Sequence, residues 1–232
     1  MRRRMLASIG GAKKKPTARD YVQDGLIAMW DGIENAGWGV HDANATVWKD
    51  LIGEINAEKT QPSDLRWQGD CIAVNSGYFK SVIGDRMLDA FMNDNVTIEV
   101  VCDSQNTAYG HMFSIGGGVR EEYWVGYNLN PYITYGSTSF NQIITGLKKI
   151  GRCTHTFTFD KGVAKIYTLG ELNGQKSDVT VSARPNASSV VKLFGDRTFT
   201  GFGCCVRVYN RALTADEIAH NYAIDKARFG LP

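Results

Sequence analysis

Apolar and polar positions alternate with a period of two in several short runs, the spacing of strands that bury one face. From Val96 to Asp103, Val96, Ile98, Val100 and Cys102 fall on one side, and Thr97, Glu99, Val101 and Asp103 on the other. Thr154 to Phe159 repeats this, with His155, Phe157 and Phe159 against Thr154, Thr156 and Thr158. Asp160-Lys161-Gly162 then predicts a hairpin turn into a partner strand, Val163 to Thr168. From Gly203 to Tyr209, Cys204, Val206 and Val208 face one way, and Cys205, Arg207 and Tyr209 the other. Gly25 to Gly32 reads as a buried strand closed by a turn. A polar loop from Glu34 to Thr46 follows, then a short strand or bend from Val47 to Gly53. One segment is plainly helical. Thr214 and Glu217 form a capping box, and Leu213 and Ile218 sit where a hydrophobic staple forms. That helix is expected to run to about Lys226 and to stop before Gly230 and Pro232. Arg86 to Met92 predicts a shorter one. Many short strands without strand–helix alternation predict an all-β sandwich or barrel. No internal repeat occurs, and one domain from residue 21 to 232 is the economical organisation.

Charge changes the picture at one end only. Met1 to Lys15 holds six of the 26 basic residues (Arg2, Arg3, Arg4, Lys13, Lys14 and Lys15) and no acid. The body, with all 24 acidic residues, is mildly acidic. Residues 1–20 therefore read as a basic, flexible or docking arm. Its apolar stretch, Met5 to Ile9, is short and contains Ser8, which makes a poor signal peptide. No later run is long enough to span a membrane. A net charge of +2 does not point to a specific nucleic-acid partner. The five cysteines are odd in number and contain no Cys-x-x-Cys pair, so no zinc site is assigned. Reduced thiols are expected, with Cys204 and Cys205 on opposite sides of one strand.

The richest binding signal is the aromatic run from Arg120 to Tyr135. On a strand, Tyr123, Val125 and Tyr127 share one face, while Glu122, Trp124, Gly126 and Asn128 share the other. The second face offers an aromatic platform with polar ends, as a sugar ring requires. Candidate ligand contacts are therefore Arg120, Glu122, Trp124, Asn128 and Tyr135, set against the bland alternative that both faces are core. The loop bearing Trp38 and His41 is a second candidate, since function concentrates on loops. No cofactor is implied. Asp42 with Asn44, and Asp94 with Asn95, are oxygen pairs of the kind that hold calcium but lack a diagnostic spacing. The four histidines form no metal pattern, and Gly116-Gly117-Gly118 lacks the Lys-Ser/Thr of a phosphate loop and reads as a turn.

Lys192 to Asp196, Phe199 to Phe202 and Val206 to Ile218 resemble the closing segment of laminin-G-like, concanavalin A-like jelly rolls, where a final strand runs into a Tyr-Asn-Arg-x-Leu-[Ser/Thr]-x-x-Glu-Ile helix start. The Phe159 to Tyr167 hairpin, the opening strand Gly25 to Asp31 and the loop Trp48 to Gly53 resemble the same family. The resemblance covers about residues 21 to 230 and implies a two-sheet antiparallel jelly-roll sandwich with a short C-terminal helix. Within the motif, Tyr209, Thr214, Glu217 and Ile218 are structural. The family includes lectins, adhesion modules, glycosidases and phage structural domains, so the fold does not fix the function. Glycosidases of one large group carry Glu-x-Asp-x-x-Glu on a strand. Here Glu99 and Asp103 share a face, but Val101 replaces the middle acid, and a half-exposed structural face is expected. No catalytic residue is assigned. With the basic arm, Asp24 to Gly32 also resembles bacteriophage or prophage proteins of gut bacteria. The expected function is a non-catalytic carbohydrate-binding or adhesion module on a virion or extracellular surface, made in the cytoplasm. Its partners would be a glycan or cell-surface polysaccharide and, through the arm, other virion proteins. The alternatives are a purely structural virion module and a glycoside hydrolase.

Overall fold

The computed structural model describes residues 14–232 except 54, 62–63, 76, 105–109, 117–120, 129, 135–143, 146–150, 182–183 and 197–198; within 117–150 and at 195–196 it describes backbone alone. Two antiparallel sheets form a sandwich. The first contains β1 (Leu26–Asp31), β4 (Leu65–Gln68), β5 (Cys71–Val74), β7 (Asn95–Ser104), β12 (Gly151–Asp160), β13 (Val163–Thr168), β14 (Glu171–Lys176) and β16 (Gly201–Tyr209). The second contains β2 (Val47–Trp48), β3 (Ala57–Lys59), β6 (Phe79–Val82), β8 (Gly110–Gly116), β9 (Glu121–Asn128), β10 (Asn130–Thr134), β11 (Ile144–Thr145) and β15 (Val190–Asp196). Strand order is β14-β13-β12-β7-β16-β5-β4 in the first sheet, with β1 also on β16, and β11-β10-β9-β8-β15-β6-β3-β2 in the second. The turn Lys161-Gly162 has both residues at positive φ, 43° and 92°, the conformation that tight hairpins between twisted strands require.

The core between the sheets is built from the predicted alternation. Val96, Ile98, Val100, Cys102, Phe157, Phe159, Val206 and Val208 all point into it. Trp48 sits at its centre, edge-on to Trp67 (ring centroids 5.0 Å apart) and to Phe79 (5.4 Å), and stacked on Phe194. The buried indoles of Trp30, Trp48 and Trp67 each donate to a backbone carbonyl, of Ile55, Asp31 and Ala45. Gly203 gives the Phe194 ring its place: a Cβ there would lie 2.3 Å from a ring carbon.

β16 organises the first sheet. One edge pairs with β7 throughout, whereas the other pairs with β5 at Gly201–Gly203 and with β1 at Cys205–Tyr209. Where the neighbours change, the register with β7 slips between Gly203 and Cys205, and this bulge corrects two expectations from the sequence. Two residues of a bulged strand stand against one on the partner, so strict alternation fails there. Cys204 and Cys205 both join the outer apolar cluster rather than opposite ones. The thiols are also not all reduced: Cys204 is disulfide-bonded to Cys71 at the start of β5, with Cα atoms 4.1 Å apart.

Helix α2 (Ala215–Phe229) lies on the outer face of the first sheet, making that side a third layer. Its capping box is formed: Thr214 Oγ1 accepts from the Glu217 amide, and the Glu217 carboxylate accepts from the Thr214 amide. Arg211, beside Glu217, is the main cause that holds its carboxyl down at about 2. The helix ends at Gly230 in the left-handed region, three residues beyond the expected end, because Ile224 and Phe229 still find apolar partners on the sheet. α1 (Asp85–Met92) turns Met87, Ala90 and Phe91 into the inner core.

Under α2 the outer sheet face is polar yet closed, which corrects the half-exposed reading of Glu99. Glu99 is 1% exposed. Arg207, fully buried, donates Nε to Glu99 at 2.8 Å and both terminal nitrogens to Asp225 of α2 at 2.7 and 2.8 Å. Thr156 donates to Glu99; Tyr21 and Thr154 donate to Asp225. Asn221 bridges Glu99 and the Tyr209 hydroxyl. At the far end of the helix Arg228 pairs with Asp31 at 2.7 Å. A buried ion pair roughly breaks even against its desolvation. Burying Ile218, Ile224, Phe229 and Leu213 contributes roughly 1.5–3 kcal/mol for each side chain. The apolar contacts therefore hold the helix down, and the ionic network sets its position along the sheet. Residues 17–20 also belong to this layer: Ala18 and Tyr21 are buried in it and Asp20 caps the turn at Thr17, so the packed chain begins before residue 21.

Candidate functional site: the outer face of the second sheet

Side-chain parity defines the outer face of the second sheet. Phe79, Leu193 and Phe113 are register partners in β6, β15 and β8, and all three point into the inner core. Lys80, Lys192 and Ser114, one residue along from these on each strand, fall on the other side, whereas Met112 and Phe194, next to the register shifts of β8 and β15, turn into the core. Glu58, Lys80, Lys192 and Ser114 form a continuous cross-strand row over β3, β6, β15 and β8. Glu58 and Lys80 are exposed, Lys192 is half-buried and Ser114 is buried, so the open part of this face lies over β3, β6 and β15. The same row continues, by backbone register, to Trp124 in β9 and Thr134 in β10, while Val125 is the register partner of Phe113. Lys192 Nζ lies 5.5 Å from the centre of the Tyr78 ring. Val82, 58% exposed, stands beside this row. A groove of about 350 Å³ is lined here by Asn56, Glu58, Lys80, Ser81, Val82 and Val190. Among the described residues no helix lies over this face.

Of the five ligand contacts expected in the aromatic run, Arg120 and Tyr135 lie outside the described residues, and Glu122, Trp124 and Asn128 are described by backbone alone. Sequence reasoning missed Glu58, Tyr78, Lys80 and Lys192. The alternation in Phe79-Lys80-Ser81-Val82 and Val190-Val191-Lys192-Leu193 carried the signal, but only the strand register joins these residues into one row.

The second expected site lies in a different layer. Trp38 packs against the outer cluster of the first sheet, with the Arg19 guanidinium 4.0 Å from its ring centre. His41 Nδ1 is 3.0 Å from the Gly32 carbonyl, and its ring meets Trp67 edge-on. The two calcium-type pairs are engaged by protein groups. Asp42 accepts from the Asn44 amide, Asp94 receives both terminal nitrogens of Arg184, and Asn95 accepts from the Ala212 amide. Two further features carry polar chemistry. A groove of about 370 Å³ at the edge of the first sheet is lined by Asp64, Arg66, Asn75, Thr200 and Phe202, among others. Cys102, Cys153 and His155, all buried, bring their ligating atoms within 4.8 Å of one another.

No curated protein sequence matches the chain. Among solved structures it is similar in fold to Trypanosoma rangeli sialidase, at 17% identity and a TM-score of 0.64 over 94% of this chain and 34% of that one. The same sialidase in complex with sialic acid gives 18%, 0.65, 94% and 35%. The binding domain of botulinum neurotoxin DC, in complex with rat synaptotagmin II, gives 10%, 0.64, 86% and 51%. The chain thus spans about a third of the sialidase chains and half of the toxin chain, and at these identities the likeness is one of fold. A laminin-G-like family model matches residues 82–219, more than half of the chain, and covers α1, β7 to β16 and the capping box of α2; the chain belongs to the concanavalin A-like lectin/glucanases superfamily.

Proposed function

We propose that the protein is a non-catalytic carbohydrate-binding module that engages a glycan across the outer face of its second sheet. One observation carries this reading: α2 closes the outer face of the first sheet, whereas the opposite face presents Glu58, Lys80 and Lys192 in one row that runs in register to Trp124. Sugar rings are recognised by C–H stacking on aromatic faces and by a few well-placed polar groups. Tyr78 offers an aromatic face beside the row, the row offers the polar groups, and the backbone register continues the row to position 124. Lys80 and Lys192 are direct register partners and bring two ammonium groups to one place on this face. Adjacent cationic groups favour a carboxylate or sulfate, so an acidic glycan is the favoured ligand class. A non-catalytic role is supported by Glu99: this acid, the nearest to a glycosidase pattern, is committed to Arg207 and Asn221 beneath α2.

The disulfide supports display in an oxidising environment, as on an extracellular or particle surface. Phage association, with the basic arm docking onto other virion proteins, belongs to the same proposal. If deletion of residues 1–15 leaves particle incorporation unchanged, that setting is wrong.

The binding reading is tested on a glycan array, followed by titration of the best acidic hit. Trp124→Ala and Lys192→Glu are each expected to weaken binding at least about tenfold, with affinity falling as salt rises. Unchanged affinity in both variants, or an array without hits, overturns it.

A further inference from the structure

The buried cluster of Cys102, Cys153 and His155 follows from the strand pairing. Cys153 and His155 are two apart on β12 and point to the same side. Cys102 of β7 is the direct cross-strand partner of Cys153. Opposed positions of an antiparallel pair hold their Cβ atoms about 4.5–5.5 Å apart, so the sulfurs meet without a loop having to close. Cys153 Sγ lies 3.1 Å from His155 Nε2. From the facing sheet, Met112 Sδ lies 3.3 Å from Cys102 Sγ. His155 Nδ1 is 3.2 Å from Thr168 Oγ1, a contact that orients the ring. These four donor residues are at most 1% exposed.

We propose that Cys102 Sγ, Cys153 Sγ and His155 Nε2, with Met112 Sδ as fourth donor, form a structural site for a thiophilic d10 cation, Cu(I) or Zn(II). Two thiols, an imidazole and a thioether are a soft donor set of the kind that selects these ions. A tetrahedral site with metal–sulfur bonds of about 2.3 Å and metal–nitrogen bonds of about 2.0 Å has ligand–ligand edges of roughly 3.5–3.8 Å. The separations of 3.1 and 3.3 Å, and the 4.8 Å limit of the Cys–Cys–His cluster, bracket that range, so side-chain adjustment alone admits the ion. Binding releases the two thiol protons to solvent. The two thiolates neutralise Zn(II) and leave a Cu(I) site with one negative charge. The ion would fasten β7 and β12 of one sheet to β8 of the other. The site lies inside the sandwich and is independent of the glycan face.

The test uses the full chain with its Cys71–Cys204 disulfide intact, purified from cells supplied with copper or zinc. Metal content is measured by mass spectrometry. Cu(I) affinity is measured by competition with bathocuproine disulfonate, and the Zn(II) geometry by Co(II) substitution. About one equivalent of metal that survives dialysis is expected, together with a raised Tm and, for Co(II), a thiolate-to-metal charge-transfer band. Cys153→Ser and His155→Ala are expected to abolish the uptake. Met112→Leu is expected to weaken Cu(I) at least about tenfold and to leave Zn(II) nearly unchanged. The stoichiometry and Tm of the unsubstituted chain do not depend on any variant folding. Less than about a tenth of an equivalent of either metal overturns the proposal. So does a count of one titratable thiol in the denatured chain instead of the three of Cys102, Cys153 and Cys205, because Cys102 and Cys153 would then be joined to each other.

Discussion

Asp31 shows how a residue at the end of a buried strand becomes sensitive to pH. Its carboxylate receives Arg228 and the amides of Ile33 and Glu34, yet burial outweighs these partners and raises its pKa from 3.8 to about 6. A raised pKa means that the folded chain takes up a proton which the unfolded chain releases. The resulting stability is fully present below about pH 3.8 and is lost as pH rises through about 6. At about 1.4 kcal/mol for each pH unit, the whole effect is at most about 3 kcal/mol. Urea denaturation from pH 4 to 7 is expected to show this loss in the unsubstituted chain and a flatter profile in Asp31→Asn. Parallel profiles would show that Arg228 holds Asp31 ionised throughout. Glu99 follows the same direction: burial, against the pull of Arg207, raises its pKa.

Among the elements, the clearest local signals were those whose causes are local. The capping box of α2 stands within four residues of chain, and the alternation of β7 and β12 needs only one apolar face. Thr214→Ala removes the acceptor for the Glu217 amide and is expected to cost about 1 kcal/mol in urea unfolding, with no change in glycan affinity. The strand β16 was legible as a strand, but its bulge was not, because the slip arises where β5 hands over to β1 as neighbour. The Cys71–Cys204 bond was hidden for the same reason and by a separation of 133 residues. Reducing it, or Cys71→Ala with Cys204→Ala, is expected to destabilise the fold by roughly 2–5 kcal/mol. Thermal unfolding with and without reductant measures this; an unchanged Tm would mean that the bond constrains little of the unfolded chain.

At the scale of the molecule, the polar outer face of the first sheet misled a reading that equates polar with wet. Thr156 and Glu99 are 57 residues apart, and Glu99 and Arg207 108 apart, so their complementarity is invisible until the sheet and α2 are assembled. The converse holds on the second sheet. Lys80 and Lys192 look like scattered surface charges in the sequence, and register alone makes them neighbours. The fold was therefore largely readable from patterns and closing motif, while the row of Glu58, Lys80 and Lys192 was not, because register alone assembles it. With α2 covering one face, the account rests on the other being the ligand surface. Hydrogen–deuterium exchange of the full chain, with and without the best acidic glycan from the array, tests this most directly. Added glycan is predicted to slow exchange in β6, β8, β9 and β15 and to leave α2 unchanged. Protection confined to α2, or to the groove near Asp64 and Phe202, would contradict it.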